Sequence, residues 1–372
     1  MGMILGLLLA FTIPFVFLFI IYKLDFYQTG QFRFILLSLA WGVAAYFLGA
    51  LTNMTLNQVY HLDWDTVIVR FVAPVGEEIF KGLFLLYLVR RPQFTYSVDG
   101  ALYGFSVGIG FAVIENYQYV TQDSSIALAV AIQRVFSTNL IHASSSAIIG
   151  IALGIFRLER RPSRWAILLG GILLAIGQHM FFNNMISRGT FLIVAIGAGF
   201  LGAGFIYLAM QRGRKQAQGW IKEKLGMADR VTGGEARAVN RINDMDQILL
   251  PIADRFGNET ASQVEKLLFL QARLGIKRKT LDSFQHDQRM LKAVQAEMEE
   301  MRAQMEEARR AIGTYAMLFV RGTFTEEMLS VWDQMQAKIQ ERSAATGGQK
   351  GGGLWSSLDN RVKQAPDPEE IE

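Results

Sequence analysis

The first 210 residues hold seven apolar segments, at about 3–22, 32–52, 66–89, 99–120, 125–156, 164–187 and 190–210, each long enough to cross a hydrocarbon core of about 30 Å. Inside a bilayer no water satisfies a free N–H or C=O, so such spans must be helices, which close their backbone bonds within the segment. The expected fold is all-α: a polytopic membrane helical bundle of about seven spans with a soluble, mostly helical C-terminal region. The fifth segment is too long to stand upright and has to tilt, bend or protrude.

Charge separates the two parts. Residues 1–210 carry 12 Lys/Arg and 9 Asp/Glu, whereas 211–372 carry 25 and 24. The expected organisation is a membrane domain over 1–210, a cytosolic helical region over 211–342 and a disordered tail over 343–372, where Gly, Ser, Pro and charge dominate. Val294, Met298, Met301, Met305, Ala308 and Ile312 recur at spacings alternating between four and three. That pattern suits a short coiled coil, with 287–315 open to a partner or to self-association, and equally one helix of a small bundle. Met3–Tyr22 has neither a basic residue before it nor a small-residue cleavage site after it, so it reads as a retained span.

Short loops with Lys23 and Arg33, with Arg90 and Arg91, and with Arg157, Arg160, Arg161 and Arg164 alternate with loops that have no basic residue or only Arg188. The positive-inside rule then places the N-terminus outside and the C-terminus in the cytosol, in what is expected to be the plasma (inner) membrane. The basic residues form no continuous stripe, which gives no support to a nucleic-acid partner. The absence of cysteine excludes disulfides, thiolate catalysis and cysteine zinc sites.

Against this apolar background a few polar residues stand at membrane depth. Glu77, Glu78 and Lys81 place three formal charges in the third segment, three residues after Pro74. A charge at mid-bilayer costs at least ~2.5 kcal/mol on insertion scales, so such residues face a protein interior. A Glu–Lys pair that fixes helix packing is the simpler account, but it leaves the second glutamate over. Two adjacent carboxyls in a low dielectric do not both ionise freely, which is how one comes to act as a base near neutrality. Pro74 should free backbone carbonyls beside them.

The fourth segment carries Glu115, close enough to its outer end to reach for the surface instead. Arg134, Thr138, His142 and Ser146 lie at successive i,i+4 positions in the fifth, and His179 and Asn183 share a face in the sixth. Two of the four histidines are thus in spans; His61 and His286 are outside them. A lone intramembrane histidine is as often a packing residue as a functional one. Glutamates, histidines and an asparagine from four successive helices, if they converge, would line a hydrated cavity. A carboxylate base with imidazole and amide donors is the equipment that peptide hydrolysis requires.

Glu-Glu-x-x-Lys at 77–81, Phe-x-x-x-Glu at 111–115, His142, and His-x-x-x-Asn at 179–183 resemble, in order and helix placement, the four motifs of the PrsW family of intramembrane proteases. That family is related to the type II CAAX-prenyl proteases, which have an arginine further along after the paired glutamates and a histidine where Glu115 stands. The resemblance covers roughly residues 1–210. It implies Glu77 as the water-activating base with Glu78 as its partner and Lys81 setting their charge state. His142 and His179 would orient water or substrate, and Asn183 with His179 would donate to the oxyanion. It also implies a membrane-anchored protein substrate, such as an anti-sigma factor.

The glutamate mechanism requires no cofactor. A divalent metal such as zinc, if used, would fall to His142, His179 and Glu115 or Glu77, although His-Glu-x-x-His is absent. Two other functions use similar residues. A proton- or ion-coupled transporter would favour a second, repeated half, and none resembles 66–120. A catalytically inactive membrane sensor or scaffold would keep only the partner-binding tail.

Overall fold

In the computed structural model, residues 1–187, 192–226, 229–284 and 287–322 are described. Arg188, His286 and the expected disordered tail lie outside them. The described residues are helical throughout their regular structure, with no strand. The described residues divide into two compact units, one within Met1–Trp220 and Ile276–Ala296 and one within Ile221–Gly275 and the described residues from Glu297 to Gly322.

Six helices of the described residues are long and apolar enough to cross a membrane. They are α1 (Gly2–Leu24), α2 (Phe32–Tyr60), α4 (Ser97–Gln122), α5 (Ala127–Phe136) continued by α6 (Thr138–Leu158), α7 (Ser163–Ser187) and α8 (Leu192–Lys224). The chain is an integral membrane protein. The expected third span is built differently. A π-helix, Trp64–Val72, runs directly into α3, Ala73–Leu88. The overlong fifth span bends as its length requires, breaking at Ser137 (φ −126°, ψ −83°) between α5 and α6.

At the centre lies α4, which is almost wholly buried, packed along α6. Three glycines make that contact. A Cβ at Gly100, Gly104 or Gly108 would run into the backbone carbonyls of Gly150, Ser146 and His142 respectively. The pairs advance by four along α4 and retreat by four along α6, so the helices run antiparallel with their backbones touching, as small residues permit in membranes. Ser144, Ser145 and Ser146 continue the small surface on α6 and are fully buried. In contrast, only 28% of α1, 17% of α7 and 22% of α8 is buried over their most apolar stretches, so these helices present most of their surface to lipid.

The segment Ile276–Ala296 also belongs to this first unit. Lys277 Nζ donates to the Pro92 carbonyl (3.1 Å), Thr280 Oγ1 to that of Thr95 (3.3 Å), and Arg160 Nη2 to that of Asp282 (2.5 Å).

The second unit holds α9 (Gly233–Asn240), α10 (Met245–Phe256), most of α11 (Asn258–Ser283), the larger part of α12 (Gln288–Ile312) and α13 (Thr314–Val320). Its fixed point is Glu235, buried, capping α9 and paired with Arg309 (2.9 Å) and Arg321 (3.1 Å). Burial alone would raise the Glu235 carboxyl; the hydrogen bonds and charge of Arg309 outweigh it and hold the group below its ordinary value. On α12, Val294, Met298, Met305, Ala308 and Ile312 are buried within the chain and Met301 partly so.

Gly104→Val should destabilise the bundle by about 1–3 kcal/mol through overpacking against a backbone that cannot retreat. Gly170→Val, at a glycine with open space around it, should be neutral. Thermal unfolding of both variants in detergent tests the difference.

Candidate active site

The polar residues of α3, α4, α6 and α7 converge. One ligand atom each from Glu77, His142 and His179 lie within 4.8 Å of one another. Glu78, Lys81, His142 and His179 are buried; Glu77 and Glu115 retain 12% and 17% side-chain exposure, so the chamber opens beside the two acids.

The local helices explain how. On α3, Glu78 and Lys81 are one turn apart and pair at 2.7 Å. Lys81 Nζ also lies 3.0 Å from His142 Nδ1 and over the face of Phe111 at 4.2 Å. His142 is carried to this point by the glycine contact, since its backbone carbonyl lies against Gly108. Its Nε2 lies 2.6 Å from Glu115 Oε2, which pairs at 2.6 Å with Arg134 of α5. Arg134 in turn donates through Nε to Asn116 Oδ1 (2.9 Å) and stacks over Tyr119 at 4.1 Å. Glu115 therefore turns inward rather than toward the outer surface.

These contacts assign the ring protons. A lysine ammonium can only donate, so His142 Nδ1 accepts and its Nε2–H donates to Glu115. Glu78 Oε1 faces His179 Nδ1 at 3.0 Å and draws that ring's proton to Nδ1. The lone pair of His179 Nε2 then points toward Glu77 Oε2 across 3.8 Å. Among the described residues, no donor reaches that buried Glu77 oxygen. Two acceptors facing one another need a proton-bearing or positive species between them, and 3.8 Å suits a water or a cation held slightly to one side. Gly49 of α2 leaves room for the Glu77 side chain, whose Cγ would lie 3.3 Å from a Cβ there.

The same donor set fits a divalent metal by type: one carboxylate oxygen without a partner and two imidazoles, a known zinc combination. Of the two acids considered from sequence, Glu77 belongs to this group, while Glu115 is bonded to Arg134 and His142. His142 could enter such a set only by giving up Lys81 or Glu115, since both its nitrogens are engaged.

Asn183 is placed differently from the rest. Pro74 has no N–H, which leaves the Val69 carbonyl without its π-helical partner and the Arg70 carbonyl without its α-helical one. Asn183 Nδ2 donates to Val69 O at 2.9 Å and Asn184 Nδ2 approaches Arg70 O at 3.5 Å. The carbonyls that Pro74 was expected to free are therefore taken up by α7. This amide is engaged with the backbone rather than aimed at the acidic cluster.

Sequence reasoning left Arg134 out of the site. Its signal was present, one turn before Thr138 and two before His142 on a polar face, but the break at Ser137 and the reach to Glu115 are tertiary facts.

Residues 30–211 match the model of the PrsW family intramembrane metalloprotease. A curated protein, Protease PrsW of Clostridioides difficile (strain 630), is 30% identical over 123 residues, which cover 32% of this chain and 52% of that protein. The chain thus spans about half the length of the curated relative it matches. No solved structure matches. Residues 30–211, just under half of the chain, are therefore similar to the PrsW family over the helices that carry the acidic and histidine cluster.

Proposed function

We propose that this protein is a membrane-embedded endopeptidase that hydrolyses peptide bonds of membrane-anchored proteins with water activated by Glu77. The observation that carries this reading is the buried Glu77 oxygen, without a donor, facing the His179 Nε2 lone pair across 3.8 Å. A water there could donate one hydrogen to each. Glu77 takes a proton from it, the oxygen adds to the scissile carbonyl, and the proton passes to the leaving amine. Glu78 orients His179 and holds Lys81, whose buried ammonium would lend the site a fixed positive charge in the transition state without contacting the substrate. Glu115 orients His142 and is itself held by Arg134. Asn183 shapes the site by holding the π-helix to α7.

Anti-sigma factors are one substrate class consistent with the resemblance. The basic loops favour an N-terminus outside and a C-terminus in the cytosol of the plasma membrane, and the 1–210, 211–342 and 343–372 organisation accords with a protease domain followed by accessory segments.

A second reading keeps the site and adds an ion. Glu77, His142 and His179 would hold it, and the metal would supply Lewis acidity and a bound water of lowered pKa. The family description favours this reading; the engagement of both His142 nitrogens favours the metal-free one.

In proteoliposomes with a single-span substrate, Glu77→Gln and His179→Ala should each lower cleavage about 10²- to 10⁴-fold. Undiminished cleavage by both purified variants overturns the protease reading, and proton-driven uptake without cleavage by the unaltered protein points to a transporter. Cleavage should survive a strong chelator, with no stoichiometric metal by elemental analysis; loss on chelation and recovery with zinc selects the metal reading instead. Asn183→Ala should lower thermal stability by about 1–3 kcal/mol by leaving the Val69 carbonyl unsatisfied. A variant of full stability with a selective fall in kcat would return Asn183 to an oxyanion role.

A further inference from the structure

The first unit also contains a partly open recess, at the arginine-rich end of the bundle. The last turn of α3 with the loop after it, the end of α6, the start of α7, Phe284, and Asp287 with the start of α12 line a recess of about 1030 Å³. Its charged lining is nearly all of one sign: Arg90, Arg91, Arg157, Arg164 and Arg289 against the single carboxylate Asp287. Arg91 and Arg164 keep their charges available. Arg91 donates to the Tyr87 hydroxyl and lies over that ring at 4.3 Å, and Arg164 donates to the Glu159 carbonyl (3.4 Å) and lies over Phe156 at 4.8 Å. Phenol, carbonyl and aromatic face hold a guanidinium in place without neutralising it.

The rest of the lining is apolar. Leu86, Leu153 and Leu168 line the side formed by the spans, and Trp165 and Tyr87, both about half exposed, belong to the types that sit at headgroup depth. A ligand that satisfies both halves has to be an amphiphile carrying negative charge at one end.

We propose that this recess binds an anionic phospholipid, with its phosphate between Arg91 and Arg164 and its acyl chains along Leu86, Leu153 and Leu168. Charge complementarity selects the headgroup, because the planar guanidinium fork pairs with two phosphate oxygens at once. Location supports a lipid over a soluble anion: basic recesses between spans at the cytosolic end are open to the leaflet that carries acidic lipid. A bound lipid would join the ends of α3, α6 and α7, the helices that carry Glu77, His142 and His179. The inference is independent of the hydrolytic reading, since it requires only the bundle and its basic end.

The full chain in detergent can be titrated with phosphatidylglycerol, phosphatidylcholine or glycerol phosphate, with binding read by native mass spectrometry and by thermal unfolding. Phosphatidylglycerol should bind and raise Tm, and the other two should do neither. Replacing Arg91→Gln and Arg164→Gln should weaken binding about fivefold for each arginine, while Arg212→Gln, at an exposed arginine outside the recess, should not. A phosphatidylglycerol with a photoreactive acyl chain should label the peptides of Leu86 or Leu168 in the unaltered protein, a measurement that does not depend on the variants folding. Equal binding of phosphatidylcholine, a full shift with glycerol phosphate alone, displacement by a soluble acidic peptide, or labelling confined to other helices would each overturn the proposal.

Discussion

A charge inside a membrane bundle has to be answered by another charge, and the centre of this protein is one continuous reply to that demand. Glu78, Lys81, His142, Glu115 and Arg134 form a chain in which each member contacts the next at 2.6–3.0 Å, with acid and base on either side of each imidazole contact. Removing one member of a buried pair leaves its partner uncompensated, at a cost of about 3–5 kcal/mol. The chain is consequently a structural unit as well as a chemical one. Glu77 stands beside it with one buried oxygen lacking a donor, as Glu78 Oε2 also does, and the proposed chemistry is assigned to the Glu77 oxygen because it faces His179 Nε2.

The ion chain depends in turn on a purely steric arrangement. His142 reaches Lys81 and Glu115 only because the backbones of α4 and α6 touch, and that is possible because Gly100, Gly104 and Gly108 present no side chain to α6. The glycines and buried serines, which lie outside the proposed chemistry, set the separation at which His142 meets Lys81 and Glu115. The π-helix contributes likewise. Pro74 lies in the first turn of α3 beside the acids, and the hydrogen-bond deficit it creates is met by Asn183 and Asn184, which tie the π-helix preceding α3 to the helix that carries His179.

Much of this was legible in the chain itself. Apolar length alone calls for a helical membrane bundle, and polar residues at membrane depth mark Glu77, Glu78, Lys81, Glu115, His142 and His179, because few neutral explanations exist for such groups in hydrocarbon. What could not be read were relations across helices. Arg134 was visible as one residue of a polar face, but its pairing with Glu115 depends on the bend falling at Ser137, a position that the excess length of the segment does not fix. Asn183 sits one turn from His179, and spacing alone assigns it the same task; its amide instead donates to a carbonyl 114 positions away. The six- or seven-fold count of spans turned on the third segment, where Pro74 divides one apolar run into two kinds of helix.

The unequal burial of the helices divides the site into an enclosed side and a lipid-facing one. Glu115 and His142 stand on α4 and α6, which are locked backbone to backbone and mostly enclosed, while His179 stands on α7, which meets lipid over most of its surface. On the lipid-facing side α7 meets its neighbours through amide hydrogen bonds, from Asn183 and Asn184 to the carbonyls of Val69 and Arg70 and from Gln178 to the Ser144 hydroxyl. The two histidines of one cluster are thus supported differently, His142 between helices whose backbones touch and His179 on a helix open to lipid.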